Sequence, residues 1–152
     1  MNSIKVLSID FGEKRIGLAV GDTESKIASP LKTIVNNSSK NTCNAISIIA
    51  KEWDISRIII GMPEIYNNQE INKKIKNFGK MLEKNLNIKV TFYNEDYSSN
   101  YAQAVLATQM KAGRKKKIIK EEIDRIAATL ILQSYFENEI FKRADTGITS
   151  ED

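Results

Sequence analysis

Residues 5–22 read KVLSIDFGEKRIGLAVGD, two apolar runs separated by a short turn that contains Gly12. The first run ends in Asp10 and the second in Asp22. This pattern predicts a β-hairpin with strands over 3–10 and 14–22. An acidic side chain at the end of a strand suited to burial is unfavourable unless a positive group or a cation meets it. Asp10 is therefore the first candidate for a functional residue.

The rest of the chain alternates short strands with amphipathic segments. A third strand is expected over 26–35, at a sheet edge because Pro30 cannot donate to a ladder, and the β-branched run 58–60 predicts a strand covered on both faces. Residues 88–93 predict the fifth strand. Helices are expected from Ser38 or Ser39 to Trp53 and over 69–85, about 98–110 and 117–142. The apolar face of the first helix is expected to consist of Ala45, Ile48, Ile49 and Trp53.

This order predicts one α/β domain over residues 1–142. Its sheet should be mixed and five-stranded, with an antiparallel hairpin plus edge strand, then parallel strands, and helices on both faces. Residues 143–152 are expected to form a short flexible polar tail. Apolar runs far shorter than the ~20 residues of a membrane span, and the absence of a signal segment, favour a cytoplasmic protein that does not engage a membrane.

Composition restricts the chemistry. The 152 residues include no histidine and one cysteine, which excludes histidine-based nucleophilic triads, imidazole acid–base catalysis and multi-cysteine zinc sites. What remains are carboxylates, lysines, hydroxyls and hard cations held by oxygen. A formal net charge of +4 makes polyanions plausible partners. Arg114, Lys115, Lys116 and Lys117 form the densest basic run, which is equally compatible with a solvated loop.

Three carboxylates that end or interrupt apolar segments, Asp10, Glu95 and Asp124, indicate a divalent-metal site acting on phosphates. The alternative for Asp10 is a turn aspartate that binds its own backbone. Helical spacing aligns Asp124 with an apolar stripe; the alternative is an acid in an early turn, where Glu121 and Glu122 also lie. Glu95 and Asp96 cannot be separated from the residues alone, and a surface turn explains Asp22 equally well.

Five segments in this order resemble the YqgF/RuvX family of bacterial pre-16S ribosomal RNA nucleases, also described as Holliday-junction-resolvase-like. They are residues 8–22, 28–31 (ASPL), 61–63 (GMP), the basic loop, and 123–128 (IDRIAA) continuing into 130–135 (LILQSY). The resemblance covers nearly the whole chain and implies a ribonuclease-H-like fold. It also implies Asp10, Glu95 and Asp124 as the acidic trio that binds Mg²⁺ or Mn²⁺.

The chain departs from the family pattern in two places. Where the family has Asp-Glu-Arg followed by two threonines, this chain has Asn94-Glu95-Asp96 and then Ser98-Ser99; Glu13 stands where threonine is common. The change to Asp96 removes a phosphate contact or carboxylate partner. On the resemblance, Lys14, Arg15 and residues 114–117 would bind the nucleic-acid backbone.

The resulting hypothesis is a metal-dependent nuclease that processes the 5′ end of pre-16S rRNA, as a monomer or homodimer, in contact with structured RNA and the pre-ribosome. A Holliday-junction resolvase acting on branched DNA is the first alternative, because the same acids would serve it. A non-catalytic RNA- or ribosome-binding module is the second. An actin-like nucleotide-binding phosphotransferase is disfavoured, since it needs a second similar domain.

Overall fold

The computed structural model describes residues 3–62, 69–94 and 116–146, with side chains over 3–62, 70–93 and 121–137. The strands are β1 (Lys5–Asp10), β2 (Arg15–Asp22), β3 (Ala28–Val35), β4 (Arg57–Met62) and β5 (Lys89–Asn94). The helices are α1 (Ser39–Glu52), α2 (Gln69–Leu86) and α3 (Lys116–Thr146). The helix expected over 98–110 lies outside the described residues.

The strands form one mixed sheet in the order β3-β2-β1-β4-β5. β1 pairs antiparallel with β2, β2 antiparallel with β3, and β1-β4-β5 run parallel, as the sequence predicts. β3 is an edge strand, as Pro30 requires, and Pro30 lies at an irregularity where the β2–β3 register shifts. β1, whose last residue is Asp10, is the central strand.

Helices cover both faces of the sheet and enclose two apolar clusters. Leu7 and Ile9 of β1 belong to the cluster under α1 and α2, whereas Val6 belongs to the cluster under α3. The run 58–60 shows the same division: Ile58 and Ile60 face the first cluster, Ile59 faces the second, and all three are fully buried. The prediction of a strand covered on both faces is confirmed.

The predicted face of α1 was wrong in part, because Ile49 is buried and Ala45 partly buried, but the other two residues are exposed. Ile48 is 59% exposed and Trp53 39% exposed, while the buried residues are Thr42, Cys43, Ile46, Ile49 and Ala50. The true stripe contains Thr42 and Cys43, small residues that carry little hydrophobic signal, so the larger Ile48 and Trp53 dominated the pattern. The cap of this helix is confirmed, because the Ser38 side chain accepts a hydrogen bond from the Asn41 N–H.

Helix α3 extends past its predicted end. It continues to Thr146, so the first four residues of the predicted 143–152 tail are helical, and residues 147–152 lie outside the described part. α3 crosses β1, β2 and β3, and its buried residues include Ala128, Ile131 and Phe136. None of the helices within the described ranges has the length and apolar character needed to cross a bilayer.

Candidate active site

Asp10 lies on the α3 face of the sheet. Side chains alternate along a strand, so Asp10 shares a face with Val6 and Ser8 of β1. Val6 packs in the cluster beneath α3, and the buried Ser8 hydroxyl donates a 2.7 Å hydrogen bond to the Ala128 carbonyl of that helix. Asp10 is partly buried at the carboxyl end of β1, the edge where open α/β sheets bind ligands.

Asp124 is aligned with Asp10 by the spacing of the two elements. It precedes Ala128 by four residues, a rise of about 6 Å along a helix, while Asp10 follows Ser8 by two residues, about 6.6 Å along a strand. α3 runs opposite to β1. Arg57 lies beside Val6, which precedes Ser8 on β1, and its guanidinium donates to the hydroxyl of Tyr135, which follows Ala128 on α3. The Ser8–Ala128 hydrogen bond therefore places Asp10 and Asp124 at the same level.

Gly17 shows how closely the two elements approach. It is the register partner of Asp10 on β2, and a Cβ at this position would overlap the carbonyl oxygen of Asp124. Gly17 thus leaves room for a close approach, and the approaching group is the backbone of α3. Three residues from β1, β2 and α3 therefore lie close together in the fold: Asp10, Gly17 and Asp124.

The position of Asp124 argues against a helix-dipole explanation. α3 begins at Lys116 and its first turn contains no acidic residue, so Asp124 lies in the third turn, beyond the reach of the N-terminal dipole. Glu121 and Glu122 lie in the second turn, an early turn as expected, and Asp124 follows them in the next turn. The side chain of Asp124 is 16% exposed, beside the buried Ala127 and Ala128.

Arg15 forms an ion pair that the sequence did not predict. Its Nε donates to Oδ2 of Asp124 at 2.7 Å, and the Arg15 side chain is 35% exposed. The residues are 109 positions apart, so no local pattern could reveal the pair. Arg15 was predicted to contact nucleic acid, and in this structure it binds the Asp124 carboxylate. A carboxylate has two oxygens, so Asp124 can hold Arg15 through Oδ2 and offer Oδ1 to another cation.

The neighbouring turn residues have separate roles. Lys14 is exposed, and its carbonyl accepts from the Asn36 N–H. Glu13 pairs with Lys74 of α2 at 2.7 Å, which lowers the pKa of Glu13 and raises that of Lys74. Asp22 accepts hydrogen bonds from the N–H groups of Ser25 and Glu24, and these hold its pKa below the ordinary value. The turn interpretation of Asp22 therefore fits the structure.

The other predicted site residues lie beyond what the structure describes. Glu95, Asp96, Arg114 and Lys115 are outside the described residues, although Asn94 ends β5 two strands from β1. Lys116 and Lys117 are the first residues of α3, and their side chains are outside the described set. Within the described side chains no group of three metal-binding residues occurs. Asp10 and Asp124 supply only oxygen donors, which suit a hard divalent cation.

Comparison with known proteins agrees with this architecture. The family model described as "RuvX: Holliday junction resolvase" matches residues 4–138. The chain belongs to the RuvX family. A relative from Caldanaerobacter subterraneus subsp. tengcongensis, named "Putative pre-16S rRNA nuclease", is 34% identical over 140 residues, covering 90% of this chain and 98% of its own. A relative of the same name from Mycoplasma mobile is 35% identical over 143 residues, covering 91% and 96%.

Solved structures show the same fold in more distant proteins. RuvC of T. thermophilus, solved with a Holliday junction substrate, gives a TM-score of 0.58 at 15% identity, covering 91% of this RuvX-family chain and 96% of its own. The fowlpox virus Holliday junction resolvase gives 0.55 at 19% identity, covering 89% and 99%. At such identities the likeness concerns the fold alone, and it confirms the expected ribonuclease-H-like α/β architecture.

Proposed function

We propose that this RuvX-family chain is a divalent-metal-dependent nuclease that processes the 5′ end of pre-16S rRNA in the cytoplasm. The observation that carries the proposal is the alignment of Asp10 with Asp124 through Gly17 and the Ser8–Ala128 hydrogen bond. The name shared by the relatives supports RNA as the substrate. Structured RNA, within the pre-ribosome, is the proposed partner of a monomer or homodimer.

Asp10, Glu95 and Asp124 are proposed to hold Mg²⁺ or Mn²⁺. Two of the three, Asp10 and Asp124, lie on the same face and at the same edge of the sheet, and all three offer the oxygen ligands that these cations prefer. When bound, the cation would supply a more acidic water and neutralise charge on the phosphate. The central strand holds the backbone of Asp10, and the packed stripe of α3 holds that of Asp124. Neither backbone would therefore have to become ordered when a cation binds.

Positive side chains beside the carboxylates are proposed to bind the phosphate backbone. Lys14 is exposed at the β1–β2 turn, and Arg15 reaches Asp124 from the start of β2. Arg15 balances the charge of Asp124, and a cation that shared this charge would leave the guanidinium free to turn toward a phosphate oxygen. Arg114, Lys115, Lys116 and Lys117 are proposed to add contacts that do not depend on sequence.

The direct test is digestion of a 16S rRNA precursor with Mn²⁺, followed by mapping of the product ends. Asp10→Asn should slow cleavage about a hundredfold or more while leaving RNA affinity nearly unchanged, because it removes charge at the site but little binding surface. Asp22→Asn is the matched control, since Asp22 caps a turn at the far end of the same hairpin. Equal cleavage by Asp10→Asn and the unaltered protein would refute the assignment.

Resolution of Holliday junctions is the second candidate. It is favoured by the family description and by the RuvC structure solved with a junction substrate. A resolvase makes paired incisions, so it requires two copies related by symmetry. Faster cleavage of a four-way DNA junction than of the RNA precursor, together with a dimer in solution, would favour this function. Binding of RNA without cleavage of either substrate would instead indicate a non-catalytic module.

A further inference from the structure

A cavity of about 360 Å³ opens on the face of the sheet opposite α3. It lies between the β1–β2 turn, the start of α1 and the middle of α2, and its lining includes Phe11, Ser39, Lys74, Asn77, Phe78 and Met81. This volume falls within the range of small-ligand sites. The cavity is separate from the carboxylate pair, because Phe11 packs with the α1–α2 cluster whereas Asp10 lies on the α3 face.

The base of the cavity is aromatic and polarizable. The rings of Phe11 and Phe78 have centroids 5.2 Å apart and planes tilted by 51°. Phe78 is buried, Phe11 is partly exposed, and Met81, one helical turn after Phe78, is 37% exposed. A partly exposed ring that shares a cavity with a thioether offers a surface on which a flat aromatic ligand can stack.

The walls of the cavity are polar and fixed. The Asn36 side chain donates to the Gly12 carbonyl at 2.7 Å and accepts from the Thr42 hydroxyl, which ties the β1–β2 turn to α1. The Glu13–Lys74 ion pair ties the same turn to α2. Asn77 presents an amide that can both donate and accept hydrogen bonds, as the polar edge of a nucleobase requires.

The outer surface of α2 is basic. Lys73, Lys76, Lys80 and Lys84 are exposed and fall within an arc of about 80° around the helix axis, opposite the buried Ile75 and Leu82. Across the whole helix, five lysines stand against two glutamates. A positive stripe beside an aromatic cavity is the combination that binds single-stranded nucleic acid, in which bases stack on rings and phosphates follow the charges.

We propose that the cavity holds an unstacked nucleobase of single-stranded RNA next to the cleaved bond, and that the α2 lysines bind the adjoining phosphates. Phe11 directly follows Asp10, so a strand whose phosphate reaches the carboxylates needs only to cross the β1–β2 turn to place a neighbouring base on Phe11. The nature of the ligand rests on the proposed function. The requirement for an unpaired base follows from the cavity, since a base within a duplex cannot enter it.

The test measures binding of a fluorescein-labelled single-stranded oligoribonucleotide by anisotropy in EDTA, so that no cleavage occurs. Met81→Glu places a carboxylate at the stacking surface and should weaken binding about tenfold. Ile48→Glu is the matched control, because it makes the same change at an apolar side chain, 59% exposed, on the neighbouring helix outside the cavity. It should alter affinity less than twofold. Equal affinities of the two variants would overturn the proposal.

A second arm uses oligonucleotides with one abasic position moved along the strand. The unaltered protein should bind more weakly when the abasic site lies at one particular position of the strand. The Met81→Glu variant should show no additional loss of affinity for that oligonucleotide. Tighter binding of a duplex than of the single strand would contradict the proposal. Cleavage of the RNA precursor is assayed in parallel. If the unaltered protein cleaves the precursor and Met81→Glu does not change RNA affinity, the base-binding role of the cavity is rejected and the nuclease function stands. If Met81→Glu weakens RNA binding tenfold but the unaltered protein cleaves nothing, only the nuclease function is rejected.

Discussion

Gly17 of β2 lies against the backbone of Asp124 in α3, so close that a methyl group on Gly17 would overlap the Asp124 carbonyl oxygen. Because Gly17 is also the register partner of Asp10, the approach of α3 at this point determines the separation of the two carboxylates. A residue without a side chain is thus required at the centre of the proposed active site.

Replacing Gly17 by alanine should therefore destabilise the fold. The obstacle is backbone inside a long helix, which cannot turn away, so we expect a loss of about 3 kcal/mol in the free energy of unfolding measured with urea. Gly79→Ala is the control: its nearest atoms belong to the ring of Phe92, which is 36% exposed and can shift. Alanine is favoured within a helix by about 1 kcal/mol, so Gly79→Ala should be neutral or stabilising.

The Arg15–Asp124 ion pair should be measurable as a coupling energy. In a double-mutant cycle with Arg15→Ala and Asp124→Ala, the double variant should lose about 1 kcal/mol less unfolding free energy than the sum of the two single losses. The pair contributes this much because it is partly shielded from water. The same cycle on Glu13 and Lys74 should give a smaller value, although the N–O distance is also 2.7 Å, because those side chains are 60% and 56% exposed. Equal coupling in the two pairs would show that burial is irrelevant here.

Ser8 should be needed to hold α3 on the sheet. Ser8→Ala removes a buried hydrogen bond between β1 and α3 and should lower the free energy of unfolding by about 1 kcal/mol in urea titrations. Thr129→Ala is a suitable comparison, since its hydroxyl also donates at 2.7 Å to a carbonyl of α3, but within the helix. That change should be nearly neutral because alanine is the better helix former. The reverse order of effects would contradict the role given to Ser8.

Asp22 should contribute a pH-dependent part of the stability. Hydrogen bonds from Ser25 and Glu24 favour its ionised form and lower its pKa from the ordinary value of 3.8. A lowered pKa means that the stabilisation is present above pH 3.8 and disappears as the pH falls through the folded-state value. The unaltered protein should therefore exceed Asp22→Asn in stability at pH 6, and the difference should shrink as the pH falls below 3.8. Thermal unfolding across this range would reveal a constant difference if charge played no part.

Much of the fold follows from local patterns in the sequence. The alternation around Gly12 specified the hairpin, Pro30 specified the edge, and the run 58–60 specified a strand buried on both faces, because each pattern reflects burial of that element alone. The face of α1 was predicted only in part for the same reason. Thr42 and Cys43 are buried by the position of the helix on the sheet, which no window of the sequence contains.

The candidate site was predictable only in part. The apolar stripe after Asp124 identified its inward orientation, and the end of the first strand identified Asp10. The pairing of Arg15 with Asp124 depends on the docking of α3, which the residues near Arg15 do not encode. The cavity beside Phe11 likewise arises where three separate elements meet. Glu95 and the run 114–117 stay predictions.

The dependence of Asp10 on α3 also bears on the order of events during synthesis. The strand that carries Asp10 leaves the ribosome early, but its partner carboxylate belongs to the last described element. A growing chain therefore lacks the assembled pair until Asp124 and the helix around it have been joined. If the pair carries the proposed activity, a growing chain gains that activity only after α3 has docked on the sheet.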